Sequence, residues 1–203
     1  MNHNFSYGET EIEDRNAPKA KNFILSAPRS AKQKKILSRI ECQPDVLYRN
    51  GRPGHLTAST LIIDPENLNI LLLYHTKLKR WLQPGGHADG DENLARVALR
   101  EAIEETGIST LTLVEPAIDL DIHLVDLPDE GLHEHYDIRF LALASSSSRI
   151  VKNHESEGLR WVSQENLAAL DGEHDLGPLV QKGIACLQDL ITKNSFDSDI
   201  NCK

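Results

Sequence analysis

The sequence predicts an α+β fold, an α/β/α sandwich around a mixed β-sheet. Strand patterns crowd the centre of the chain, from residue 55 to residue 144, and return at 159–162. A helical pattern breaks into them once, ahead of Gly107, and other helical patterns fall towards the two ends. Strands that follow one another closely, instead of alternating regularly with helices, argue against a doubly wound parallel sheet.

The elements follow in order. Residues 1–28 are polar and mixed in charge, a tail or an arm. Residues 30–42 set Ile36, Leu37 and Ile40 among Lys32, Lys34, Lys35 and Arg39, a short amphipathic helix with a basic face, expected to be a solvated surface helix. Asn50-Gly51-Arg52-Pro53-Gly54 is turn chemistry. A strand over 55–64, a turn at 65–67 and an apolar strand over 70–74 make a hairpin. Residues 81–86 read as a loop, and the helix after them stops at Gly107, a natural C-terminal cap. The pattern alternates over 111–125 and again over 133–144, with a turn at 128–131, which suits an antiparallel pair. Residues 145–148 and 154–158 read as loops and 159–162 as a strand. Ser163 N-caps a helix to about residue 170. A last helix runs over 177–192, with Pro178 in its first turn. The expected organisation is an N-terminal extension over 1–45, a main domain over 46–193 and a tail over 194–203.

The chain has 203 residues and a formal charge of −9. It lacks the basic footprint that a nucleic-acid polymer needs. Small phosphorylated ligands remain open, because a metal ion can supply the positive charge. Cys42, Cys186 and Cys202 are widely spaced and odd in number, which suggests reduced thiols and no disulfide framework. The start of the chain does not read as a signal peptide, and no apolar run approaches the ~20 residues of a membrane span. The expected compartment is the cytoplasm, with no membrane partner.

The chemistry concentrates in residues 86–108. Glu101, Glu104 and Glu105 stand at i, i+3 and i+4, within an arc of about 100° on a helix. Ala95, Ala98, Leu99, Ala102 and Ile103 take another arc, the core-facing one. Clustered carboxylates repel, and a hard divalent cation such as Mg2+ reverses that cost.

This stretch resembles the signature of the Nudix hydrolases, G-x5-E-x7-R-E-U-x-E-E-x-G-U, where U is a bulky aliphatic. Gly86, Glu92, Arg100, Glu101, Glu104, Glu105 and Gly107 match its fixed positions, and Ile108 its last aliphatic one; Ala102 is smaller than the pattern's aliphatic. The preceding Pro-Gly-Gly and the later Trp-Val followed by a helix extend the likeness to about residues 50–190. The resemblance implies a Nudix-type sandwich and hydrolysis dependent on Mg2+ or Mn2+. Its usual substrate is a small nucleoside diphosphate linked to another moiety, cut at the pyrophosphate. Carried over, Glu101, Glu104 and Glu105 hold metal, assisted by a backbone carbonyl at Gly85 or Gly86, while Glu92 and Arg100 form a supporting ion pair. A further glutamate outside the box, Glu157 first and Glu155 second, joins Glu104 and Glu105 as a candidate metal ligand or base. Two alternatives stay open, a nucleoside triphosphate pyrophosphohydrolase that releases pyrophosphate and a non-catalytic sensor of nucleotide derivatives. A homodimer is a common assembly among relatives.

Other residues border this chemistry. His87 follows the double glycine and is a candidate substrate contact. Arg139 shares a strand face with His135 and is a candidate phosphate ligand. His123, His133 and His135 share polar faces with Asp119, Asp121 and Asp137; a second, transition-metal site is possible there, although solvated or mutually hydrogen-bonded faces are the expectation. His55 and His75 are weaker ligand candidates. Trp81 and Tyr74 are candidates for stacking on a base, and Lys77, Lys79 and Arg80 for attracting an anion.

Overall fold

A computed structural model describes residues 19–127, 129–154, 156–170 and 176–200 of the chain. Its centre is β1 (Gly54–Ile63), buried along its whole length. β6 (Gly131–Leu143) runs parallel to β1 in ten successive pairs, from Gly54↔Glu134 to Ile63↔Leu143. β5 (Thr112–Leu127) then pairs antiparallel with β6, as the two alternating patterns predict. On the other edge of β1 lie β2 (Ile70–His75), through Ile62↔Leu71 and Ile63↔Ile70, and β4 (Gly85–His87), through Thr57↔His87 to Ser59↔Gly85. β3 (Trp81–Leu82) and β7 (Ser156–Val162) add to β2. One parallel pairing among antiparallel ones makes the sheet mixed, in an α+β architecture.

Helices cover both faces. α1 (Ala20–Ser26), α2 (Ala31–Cys42) and part of α3 (Leu94–Thr106) pack on one face. Phe23, Ile24, Ile36, Leu94 and Ala98 there join Leu56, Tyr136, Ile138 and Phe140 in one core. α5 (Gly177–Ile200), with the short α4 (Gln164–Leu170), covers part of the other face. Its Leu179, Val180 and Leu187 meet Leu61, Ile63, Leu72 and Leu141. The odd-numbered face of β1 therefore changes character along its length. Leu61 and Ile63 lie under α5, whereas His55, Thr57 and Ser59 precede them on the same face.

Several expectations change. Residues 81–86 are not only loop, since β3 and β4 form there. They are too short for a period-2 pattern and exist because β2 and β1 offer them partners. β7 begins at Ser156, where residues 154–158 suggested loop, and α5 continues past residue 192 to Ile200, no glycine or proline following Gly183 to stop it. Pairing of β5 with β6 lapses between Val114 and Asp119, around Pro116, which has no N–H for the ladder. α2 is more than a solvated helix: Ile36 is fully buried, and Gln33 donates to the carbonyls of Ile24 and Ala27, tying α2 to α1. The expectations for residues 1–18, for 171–175 and for 201–203 lie outside the described residues.

Phe23 stands edge-on to Phe140, with centroids 5.9 Å apart. Phe23→Ala removes that contact and leaves a cavity, so it should lower the stability of the whole domain by about 3–5 kcal/mol in urea unfolding. A loss below ~1 kcal/mol would mean that α1 is dispensable to the core.

Candidate active site

α3 is held at both ends. Asn93 accepts from the Arg96 N–H at its start, and Gly107 takes the left-handed conformation at its end, φ 70°. That sets the rotation of the helix and hence the direction of its glutamates. Glu105 is only 2% exposed, and its Oε2 accepts the Gly85 N–H at 2.9 Å. Glu101 lies against Gly86. A Cβ at residue 86 would stand 2.4 Å from the Glu101 carboxylate carbon, so only glycine allows this approach. Glu101 and Glu105 line a cavity of about 680 Å³ together with Gly85, Gly86 and His87; Glu104 is exposed.

Arg100 holds this junction. Its Nη2 binds Glu101 Oε1 at 2.8 Å and donates to the His87 carbonyl at 3.2 Å. Burial acts to lower the Arg100 guanidinium, but Glu101, and Glu104 more weakly, raise it above its ordinary value. The expected Glu92–Arg100 pair is thus replaced. Glu92 precedes the helix and is exposed, while Glu101 is the carboxylate within reach.

The cavity floor is the polar face of the sheet, and its register can be read row by row. His55, His135 and His123 form one row across β1, β6 and β5. Thr57, Asp137 and Asp121 form the next, and Ser59, Arg139 and Asp119 the third. Of the two outcomes expected for these faces, solvated or mutually hydrogen-bonded, the second is found: His133 is 2% exposed with its Nε2 3.1 Å from His135 Nε2, and His123 Nδ1 lies 3.1 Å from Asp121.

Arg139 is a strut. Its Nε binds Asp137 at 3.0 Å, its Nη2 binds Asp121 at 2.6 Å, and its Nη1 lies 3.7 Å from Asp119. The phosphate grip expected of Arg139 gives way to this role, because three carboxylates already face its nitrogens. Burial acts to lower its guanidinium, and the three aspartates raise it. Burial would raise the Asp121 carboxyl, but the His123 hydrogen bond, Arg139 and Lys32 hold it far below the usual carboxylate range. Thr57 and Ser59 donate to Asp137 at 3.1 and 2.7 Å.

Beside the strut, five imidazoles gather. His55 lies 5.0 Å from His87, 4.8 Å from His133 and 4.8 Å from His135, ring to ring, and His123 is 5.5 Å from His135. Burial, then the neighbouring imidazoles, push His135 down to about 2 and His55 down to about 3. Burial also lowers His87, with Arg49 adding to it.

Glu157, the candidate outside the box, is exposed and pairs with Lys79, and it is not among the residues that line the cavity. Glu155 lies outside the described residues. Glu130 lines the cavity instead, with its Oε2 4.0 Å from His87 Nε2 and 3.4 Å from His133 Nε2. A glutamate in a turn carries no periodic signal. The 55-57-59 alternation of β1 did carry one, in that three polar residues share a face with Leu61 and Ile63. Trp81 and Tyr74 pack on each other, 5.4 Å apart, with Arg160 over the Trp81 ring, so core and loop packing accounts for both. Lys77 and Arg80 line the cavity, as do Lys32, Arg49 and Lys182.

Comparison with known proteins adds to this geometry. A family model described as NUDIX domain matches residues 53–182. The phosphatase NudJ of Escherichia coli (strain K12) is 35% identical over 111 residues, 53% of this chain and 66% of that protein. The chain thus spans just under two thirds of the length of the curated relatives it matches. An Ap4A hydrolase of C. elegans, solved as a binary complex, superposes with a TM-score of 0.54 at 22% identity, over 66% of this chain and 98% of that one. A NUDIX-family hydrolase from Clostridium perfringens gives 0.50 at 25% identity, over 67% and 97%. The fold is shared with both.

Replacing Arg139 with Met keeps much of its volume but leaves three aspartates without their common cation. Arg139→Met should cost about 3–5 kcal/mol of stability, read by urea unfolding. If Arg139 only met ligand, stability would be unchanged.

Proposed function

The chain belongs to the NUDIX family, and from that premise we propose that it is a metal-dependent hydrolase that cuts the diphosphate of a nucleoside diphosphate linked to another moiety. The observation that carries this is the meeting of the Glu101 and Glu105 carboxylates with the Gly85–Gly86 backbone on a cavity rimmed by Lys32, Arg49, Lys77, Arg80 and Lys182.

The donor set suits Mg2+ or Mn2+. Carboxylate and carbonyl oxygens are what hard cations take, and the close approach at Gly86 leaves room for oxygens where a Cβ would intrude. Glu101, Glu104 and Glu105 would hold the ion, with a carbonyl of Gly85 or Gly86. When bound it supplies charge neutralisation at the pyrophosphate and a more acidic water.

The chain's own residues account for the rest. Lys77 and Arg80, on the cavity lining, draw in the polyanion. Glu105 is held by the Gly85 N–H and Glu101 by Arg100; a carboxylate oxygen of Glu104 or Glu105 that the ion does not engage takes the proton of the attacking water. The water oxygen bonds to phosphorus, the bridging P–O bond breaks, and the leaving phosphate departs with the electron pair. Such transfer depends mainly on positioning and charge stabilisation.

A cavity of about 680 Å³ also bears on the substrate. That is a usual size for a small-molecule site. Its lining mixes Leu73, Leu78, Leu82, Leu124 and Val125 with the charged groups, which suits a substrate with organic moieties on both sides of the pyrophosphate.

Glu104→Gln and Glu105→Gln should each lower turnover of a nucleoside diphosphate derivative by ~100-fold or more with the urea midpoint retained. Near-wild-type turnover in either would sink the mechanism. In a substrate panel with Mg2+ or Mn2+, a monophosphate plus a phosphorylated moiety is the expected product pair. A monophosphate plus pyrophosphate would instead favour the triphosphate reading.

A further inference from the structure

The imidazole cluster on the cavity floor has no part in the hydrolysis described above. We propose that His55, Glu130, His133 and His135 form a binding site for a divalent transition-metal ion of the zinc class, separate from the carboxylates of α3. One ligand atom from each of the four lies within 4.8 Å of all the others.

The first argument is distance. A tetrahedral ion with bonds of about 2.0–2.1 Å to nitrogen and oxygen sets its ligand atoms about 3.3 Å apart. His133 Nε2 is 3.1 Å from His135 Nε2 and 3.4 Å from Glu130 Oε2. Two of the spacings among the four ligand atoms are therefore already close to a tetrahedral edge, and the others lie within 4.8 Å.

The second argument is the proton inventory. His133 Nδ1 lies 2.7 Å from the Gly131 carbonyl. A carbonyl only accepts, so Nδ1 carries the hydrogen and the neutral ring presents a bare Nε2 to the cluster. An imidazole whose outer N–H is held by a carbonyl is the usual arrangement of a metal-ligating histidine. That nitrogen has the His135 ring nitrogen at 3.1 Å and the Glu130 carboxylate oxygen at 3.4 Å, three donor atoms gathered around one point that a cation could fill.

The third argument is the accumulation of unsatisfied atoms. Both ring nitrogens of His55, Nε2 of His87 and Oε2 of Glu130 are buried with no hydrogen-bond partner. His55 is fully buried, so its ring nitrogens carry an uncompensated desolvation cost. An ion bound to one His55 nitrogen and to Glu130 Oε2 would resolve two of these four atoms.

The donor set selects the ion. Three imidazoles and one carboxylate suit zinc and its first-row neighbours, whereas Mg2+ prefers an all-oxygen shell with several waters. Charges of both signs surround the cluster: the carboxylates of Glu130 and Asp89, with Asp121 meeting His123 at its edge, and the guanidinium groups of Arg52 and Arg49, acting on His55 and His87. His135, His87, His123 and Glu130 line the cavity, so the ion would have a path in and would add positive charge to the floor facing the substrate.

The test uses the full, untagged chain, stripped with a chelator and held in excess Mg2+. Titration with Co2+ should give one bound equivalent with the visible absorption of tetrahedral cobalt, displaced by one equivalent of Zn2+. Glu130→Gln and His135→Asn should each weaken Co2+ binding by ~100-fold, while Glu104→Gln and Glu105→Gln leave it unchanged. Zn2+, but not Mg2+, should raise the thermal midpoint of the wild-type chain. This last reading needs no variant to fold. Absence of cobalt uptake, uptake indifferent to Glu130 and His135, uptake lost with the α3 glutamates, or no Zn2+-specific rise in the midpoint would each overturn the site. None of these readings depends on turnover, so the hydrolase reading can fail while this one stands, and the reverse.

Discussion

The parallel register of β1 with β6 is the constraint on which the rest depends. Residues of one parity on these two strands share a face, and β5 extends the rows by a third strand. One parity is polar for three rows and then apolar, while the other is apolar for most of its length. A slip of one residue would send His55, Thr57 and Ser59 into the core of α1 and α3 and expose Leu56 and Ala58. The apolar core thus defines the register, and the register assembles the cavity floor.

Two sets of donors meet around that cavity. On one side are the α3 carboxylates, hard oxygens brought to the sheet by the glycines of β4 and by the Gly85 N–H. On the floor are imidazoles, borderline donors beside the Arg139–aspartate strut. Arg139 neutralises Asp119, Asp121 and Asp137, with Lys32 and Lys182 binding two of them from α2 and α5 at 2.5 Å each. The strut thereby joins helices from both layers to the floor, and a buried ion cluster keeps the site open where apolar packing would close it.

Much of this was legible in the chain. The box helix, its C-terminal limit and its acidic arc follow from i, i+3, i+4 spacing and a terminal glycine, both local signals. The alternation of β5 and β6 predicted that Asp119, Asp121 and His123 would share a face, as would His133, His135, Asp137 and Arg139. Other features were not legible. β3 and β4 are too short for a period to show. Glu130 sits in a turn and carried no signal, whereas Glu157, the candidate named from the sequence, pairs with Lys79 away from the cavity. The partner of Arg100 was expected at Glu92 and is Glu101, a choice made by reach around the helix.

By itself the sequence determined the kind of fold, the acidic face of one helix and the polar parity of each strand, because each depends on residues within a few positions of one another. Tertiary structure alone decided which polar faces meet, that they bond to one another and not to solvent where the sequence left both open, and that Arg139 is consumed by three aspartates. Those outcomes depend on pairing between strands nearly eighty residues apart, β1 with β6. Long-range register is set by the summed packing of the core and is not written in any short stretch of chain.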